Sequence, residues 1–390
     1  MRQASGAIEP LAQYAHAPIL LLVAFFLMLQ PLSTDLYLAS LPSLASVFGA
    51  PMSTVQLTLS MFVIGFGGAQ LVIGPLSDRY GRRPVVIAGL CLYVVASLLC
   101  AVAPTIGLLI AARFVQALGC CSAIVIARAS TWLALAPLTG PILGSYLQVT
   151  FGWRAAFVTL TLLSSAVLAA VVLRLPETNE HKNPRATELA GLAANWRVVL
   201  GSREFWAHAL PGALSYGSIF AFISGSSPVL IRVLQVPTAW FGYCFAFGVS
   251  GYMTGTILCR RLLPAYGPAI TLRIGSTLAL GAGALYLAAA GFGLAHWTLV
   301  TGAMFLTMLA HGVNFPVSQS GSVTPFPQQA GTAAGLMGAL YMCVAFAVGT
   351  AVGATFNGTL YPLAVIACTL GASIFISVRA LAPRPVAVAS

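Results

Sequence analysis

The chain has 390 residues, 59% of them hydrophobic and only 6% charged, with a net charge of +11. An ordinary soluble domain carries about 25% charged residues, so a water-soluble fold is excluded: it could not clothe its surface. Lipid tails suit an apolar exterior, and twelve helices of about 20 residues would use roughly 240 residues, leaving room for short loops.

Taken in chain order, the apolar runs predict spans at 17–45, 53–76, 84–103, 105–127, 130–150, 154–174, 205–232, 237–262, 268–291, 296–320, 329–355 and 359–380. The expected fold is an all-α membrane protein of twelve transmembrane helices in two six-helix halves. Arg2 ahead of the run from Pro18 to Leu32 has the outline of a signal peptide. The many spans that follow make a retained first helix the expectation. Proline and glycine mark the joints at Pro51, Pro104, Gly152, Pro237, Gly267 and Gly358.

Charge gives the orientation. With the N-terminus in the cytoplasm, 15 of the 18 Lys and Arg residues fall on that side, Arg154 and Arg232 fall opposite, and Arg113 lies inside a span. Such a bias places both termini inside. The stretch 175–204 is the long polar segment and holds Glu177, Glu180, Glu188 and Glu204, four of the seven acids. It reads as a cytoplasmic linker between an N-terminal half, 1–174, and a C-terminal half, 205–390.

Other function classes lack their signatures. The basic residues cluster in interhelical turns rather than in a stripe with aromatics, so nucleic acid is not an expected partner. The eight cysteines sit in or beside apolar runs as small buried side chains, with no metal-ligand spacing and no expected disulfide. There is no phosphate-cradling loop and no nucleophile elbow. Neither a cofactor nor an enzymatic activity is expected.

Four strings carry chemistry. Gly74-Pro-Leu-Ser-Asp78-Arg79-Tyr-Gly81-Arg82-Arg83 is a tight turn between spans two and three, with arginines at headgroup depth. Asp35, in Ser33-Thr34-Asp35-Leu36-Tyr37, is the one acid inside an apolar span. A carboxylate at mid-membrane costs about 2.5–3.5 kcal/mol on insertion scales. Burial favours its neutral form, so the group could take up and release a proton. Arg113, in Arg113-Phe-Val-Gln116-Ala-Leu-Gly119, is a buried cation that needs a partner. Asp35 is the intramembrane acid available to it; backbone carbonyls or water are the alternatives. In span five, Pro137-Leu-Thr-Gly140-Pro141-Ile-Leu-Gly144-Ser145 combines kinks with close-packing glycines. His311 and Asn314 in span ten are weaker polar candidates.

Together these strings resemble the Bcr/CflA drug-resistance exporters, twelve-span proton antiporters of the major facilitator superfamily. Also similar are Phe220-Ala-Phe-Ile-Ser224-Gly-Ser-Ser-Pro228 and Ala330-Gly331-Thr332-Ala333-Ala334-Gly335. The resemblance implies a multi-pass, monomeric protein of the bacterial inner membrane that exchanges protons for drug-like small molecules. It implies proton coupling by Asp35 and Arg113, and a gating loop of Gly74, Asp78, Arg79, Gly81, Arg82 and Arg83 whose aspartate caps helix eleven. Pro137, Gly140, Pro141 and Gly144 match the antiporter motif, and Tyr37, Gln116 and Asn314 are the expected substrate-cavity residues. A sugar or metabolite exporter on the same fold is the alternative, and a non-transporting membrane sensor a more distant one. One departure stands out: Ile126-Ala-Arg128-Ala-Ser-Thr131-Trp132 runs almost directly into span five. Roughly twenty residues of the family's charged connection are absent there, and with them the acid expected to face the arginines after span two.

Overall fold

The computed structural model describes residue 26, residues 28–122, 135–177, 179 and 189–381. The shortened joint at Ile126–Trp132 lies outside these residues, as do Arg128, Glu180 and Glu188. The first span is broken. Helix α1 runs over 28–35, a 3-10 turn covers Leu38–Ser40, and α2 takes up Leu41–Phe48. Pro42 explains the break, because its ring removes an N–H and clashes with the carbonyl four residues back. It is tolerated in the first turn of the new helix instead.

The chain continues through α3 (Met52–Tyr80), α4 (Arg82–Ala101), α5 (Ile106–Cys120), α6 (Leu135–Phe151) and α7 (Arg154–Arg174). The second half is α9 (Arg203–Ser227), which runs on into a π-helical turn at Pro228–Val233, then α10 (Thr238–Gly291), α11 (Trp297–Val323), α12 (Ala330–Thr355) and α13 (Tyr361–Leu381). Eight described helices are long and apolar enough to cross a bilayer. The longest, α10, has 54 residues and supplies two spans, because Gly267 at φ 74° between Pro264 and Pro268 turns the chain back on itself. The broken first span and the shorter α5 and α6 complete twelve.

The linker contains a helix that its polar flanks hide in the sequence. Helix α8 (Leu189–Leu200) places Val199 in an apolar cluster with Phe205, Ala209, Phe326, Ala333 and Met337. The indole N–H of Trp206 donates to the Leu200 carbonyl at 2.8 Å, which ties the helix to the start of α9.

The halves meet along two helix pairs, α3 with α12 and α6 with the first arm of α10. Small residues let them close. A Cβ built on Gly242 of α10 would stand 2.5 Å from the Pro141 carbonyl oxygen and 2.6 Å from the Ile142 Cα of α6. Side-chain hydrogen bonds between the halves lie toward the face opposite the arginine-rich turn. Gln56 Nε2 donates to the Ser224 carbonyl at 3.2 Å, the Ser224 hydroxyl donates back to Gln56 Oε1 at 3.1 Å, and Arg232 donates to the Pro42 carbonyl at 2.8 Å.

Candidate functional site

The break in the first span is what builds the site. It ends α1 at Asp35, whose residue is 3% exposed. The Thr34 hydroxyl donates to Asp35 Oδ1 at 3.0 Å. Helix α6 supplies the opposite wall through two glycines one turn apart. A Cβ on Gly140 would lie 3.3 Å from the Asp35 Cβ, and one on Gly144 would overlap the Leu36 carbonyl oxygen. The two glycines therefore form a groove that receives the broken segment of the first span. Pro141 lies inside the same helix, and its carbonyl faces Gly242 across the halves.

This arrangement makes a graded prediction. Gly144→Val drives a branched side chain into backbone that cannot swing aside, at a cost of about 1–3 kcal/mol. It is expected to lower thermal stability in detergent and to displace Asp35, with loss of transport. Gly140→Ala needs a shift of only a few tenths of an ångström and is expected to retain most activity. Melting curves and transport rates of the two variants side by side check this order.

Arg113 is turned into a different environment. It is fully buried in α5; its Nε donates to the Thr58 carbonyl at 3.2 Å and its Nη1 to Gln116 Oε1 at 2.5 Å. The guanidinium carbon stands 4.3 Å from the Phe62 ring centre, 4.7 Å from Tyr37 and 5.8 Å from Phe157. Among the described residues Nη2 has no hydrogen-bond partner. Asp35 is not among the contacts of Arg113, so the pairing expected from sequence is not made. Carbonyl, amide and aromatic faces take its place, the faces contributing cation–π attraction.

Gln116 and Tyr37 belong to that cluster and not to an open cavity. Gln116 Nε2 donates to Ser97 Oγ at 2.7 Å, and the Tyr37 hydroxyl meets Thr58 Oγ1 at 3.0 Å. Both residues are fully buried. The network returns to the first span through Tyr93, whose hydroxyl meets Ser33 Oγ at 2.6 Å. Asn314 is also buried and packs against Gly275 in the second arm of α10. Among the described residues its amide oxygen and nitrogen both lack partners.

At the arginine-rich turn, Gly81 takes φ 102° and separates α3 from α4. Gly74 lies in the last turns of α3, with its carbonyl accepting from Ser77 Oγ at 2.8 Å. Asp78 is exposed, and α12 begins after Gln329 with no side-chain cap, so among the described residues the capping of helix eleven by Asp78 is not formed. An acid does face the turn, and it comes from the linker. Glu177 accepts from the backbone N–H of Arg82 at 3.0 Å and of Arg83 at 3.2 Å, capping α4. Arg83 donates to the Val172 carbonyl at 3.0 Å, and Asn179 donates to the Ser77 and Asp78 carbonyls at 3.1 and 3.3 Å. Sequence reasoning passed over Glu177, although it is the first acid after the sixth span. It also passed over Gln56, for which an amide inside an apolar helix was the available signal, and it named Ser224 only as part of a string and not as the partner of Gln56.

The Major Facilitator Superfamily model matches residues 23–131 and 122–350, two pieces that overlap at the shortened joint. The bicyclomycin resistance protein homolog of Haemophilus influenzae is 28% identical, over 90% of this chain and 92% of its own length. The chloramphenicol resistance protein of Pseudomonas aeruginosa is 29% identical, over 92% of this chain and 89% of its own. Among solved structures, the partially occluded inward-open xylose transporter XylE of E. coli superposes with a TM-score of 0.69 at 16% identity, covering 94% of this chain and 97% of its own. An inward-facing bacterial homolog of the lysosomal transporter Spinster gives 0.64 at 16%, covering 96% and 95%. These two share the fold.

Proposed function

The chain belongs to the Major Facilitator Superfamily, and on that premise we propose that it expels drug-like amphipathic compounds across the bacterial inner membrane in exchange for protons. Asp35 carries this reading: a buried carboxyl with a hydroxyl partner and no cation against it among the described residues. Such a group can bind and release a proton without breaking an ion pair. It sits where the broken first span meets the glycine groove of α6, close to the contact between the halves. The named resistance proteins among its relatives support drug-like cargo.

In this reading the protein works as a monomer and performs no catalysis. Residues 1–174 and 205–390 rock about the α3–α12 and α6–α10 contacts, with 175–204 between them on the cytoplasmic side. The Gln56–Ser224 and Arg232–Pro42 hydrogen bonds close the outer face when the inner face is open. Both termini are cytoplasmic, following the charge bias.

The test is a resistance and accumulation profile. Cells expressing the chain are expected to hold less of an exported drug than cells with an empty vector, and an uncoupler should erase the difference. Equal accumulation across a panel of amphipathic drugs, with the protein present in the membrane, would remove the exporter reading.

A further inference from the structure

We propose that Tyr93 is a positioning residue for the proton site: its hydroxyl sets the rotation of the first span about its axis, and so the direction in which Asp35 points. The proposal rests on the proton-coupled reading and assigns a further residue to that same site.

Helix α1 ends at Asp35, and the span is broken just beyond it. Its own backbone hydrogen bonds fix the helix but not its rotation, which falls to the side chains that tie it to its neighbours. Ser33 and Asp35 are two residues apart, so they project about 200° from each other around the axis. The structure uses both directions. Ser33 Oγ meets the Tyr93 hydroxyl of α4 at 2.6 Å, while a Cβ on Gly140 of α6 would lie 3.3 Å from the Asp35 Cβ. Holding Ser33 on one side therefore holds Asp35 in its groove on the other.

The donor in this bond can be assigned. Ser33 Oγ carries one hydrogen and gives it to the Leu29 carbonyl. Toward Tyr93 it accepts, and the phenol donates. Both residues are fully buried. Tyr93 is also a rigid post. Helices α4 and α5 close on each other beside it, where a Cβ on Gly119 would stand 2.5 Å from the Gly89 carbonyl oxygen and 2.6 Å from the Tyr93 nitrogen. The Tyr93 carbonyl accepts from Ser97 Oγ at 2.7 Å, and Ser97 Oγ accepts from Gln116 Nε2 of α5 at 2.7 Å. A hydroxyl carried on backbone fixed in this way holds its partner to one geometry.

The two ends of the bond differ in consequence. Tyr93→Phe removes the donor and leaves no polar hydrogen unpaired, because Ser33 keeps its bond to Leu29. Ser33→Ala leaves the phenol hydroxyl buried without its acceptor, the costlier change. Both should misdirect Asp35, and the second alone should lower the melting temperature.

Rotation is read in the full chain in detergent with Asp35→Cys as a reporter. The rate at which a small water-soluble methanethiosulfonate modifies residue 35 is followed by mass spectrometry, with the buried Cys100 and Cys259 as references. Adding Tyr93→Phe is expected to raise the rate at residue 35 about 2- to 10-fold, the range of one hydrogen bond, with the references and the melting temperature unchanged. Ser33→Ala should give the same rise and stands in if Tyr93→Phe does not accumulate. An unchanged rate at residue 35, or an equal rise at the references, overturns the proposal. With Asp35 in place, Tyr93→Phe should lower kcat for chloramphenicol efflux from proteoliposomes under an imposed pH gradient about 2- to 10-fold, at unchanged KM. An unchanged kcat overturns the proposal as well. A rise at residue 35 in a protein whose wild type moves neither chloramphenicol nor any of a panel of amphipathic drugs keeps the tie and removes the exporter reading.

Discussion

Asp35→Asn is expected to give a folded, inserted protein that no longer couples efflux to protons. The amide nearly matches the carboxylate in size, and its oxygen can still accept from Thr34, so the groove against Gly140 stays filled. The amide cannot take up or release a proton across the working range. For one proton exchanged per neutral molecule, 100 mV supplies about 2.3 kcal/mol and one pH unit about 1.4 kcal/mol. Together they sustain a concentration ratio of about 500. The variant should lose that accumulation ratio completely while still letting substrate equilibrate downhill. Efflux from Asp35→Asn that remains as fast as wild type and sensitive to an uncoupler would move the proton site elsewhere.

Arg113→Ala should fail differently, through stability. Removing the guanidinium leaves the Gln116 amide oxygen without its donor and takes a second donor from the Thr58 carbonyl, at about 1–3 kcal/mol for the buried oxygen left unpaired. It also removes the cation from the Phe62 and Tyr37 faces. The expected loss is about 3 kcal/mol or more, read as a lower melting temperature in detergent. Arg113→Lys should rescue little, because an ammonium is a point charge and cannot replace a planar fork that also lies on rings. A double-mutant cycle with Asp35→Asn separates this from the ion pair expected from sequence. The geometry predicts a coupling energy within about 0.5 kcal/mol of zero; a coupling of 2 kcal/mol or more would reinstate the pair.

The contrast between these two residues shows how far the sequence could be read. Both stand out because a charge in an apolar helix is costly, and that rule gives depth in the membrane. It does not give direction around the helix axis. Direction decided that Asp35 meets Gly140 while Arg113 meets Thr58, Gln116 and three aromatic rings. Those rings were unreadable as partners because Phe62, Tyr37 and Phe157 look like ordinary lipid-soluble residues. Asn314, expected at the cavity, is another case of direction: its side chain lies against Gly275. Span positions were legible because about 20 apolar residues in a row leave few alternatives. The break at Leu38–Ser40 was also signalled, by Pro42, but a long apolar run masked it. The α8 helix was lost for the opposite reason, as twelve residues among polar neighbours fall below any span-length threshold.

The linker is fastened at both ends. Glu177 and Asn179 hold its start to the turn before α4, and α8 holds its end to the second half through Val199 and the Leu200 carbonyl. The length of chain between Asn179 and Leu189 therefore acts as a leash. Ten peptide units reach at most about 35 Å when fully extended, and no conformation of the transporter that keeps both fastenings can hold those two points farther apart.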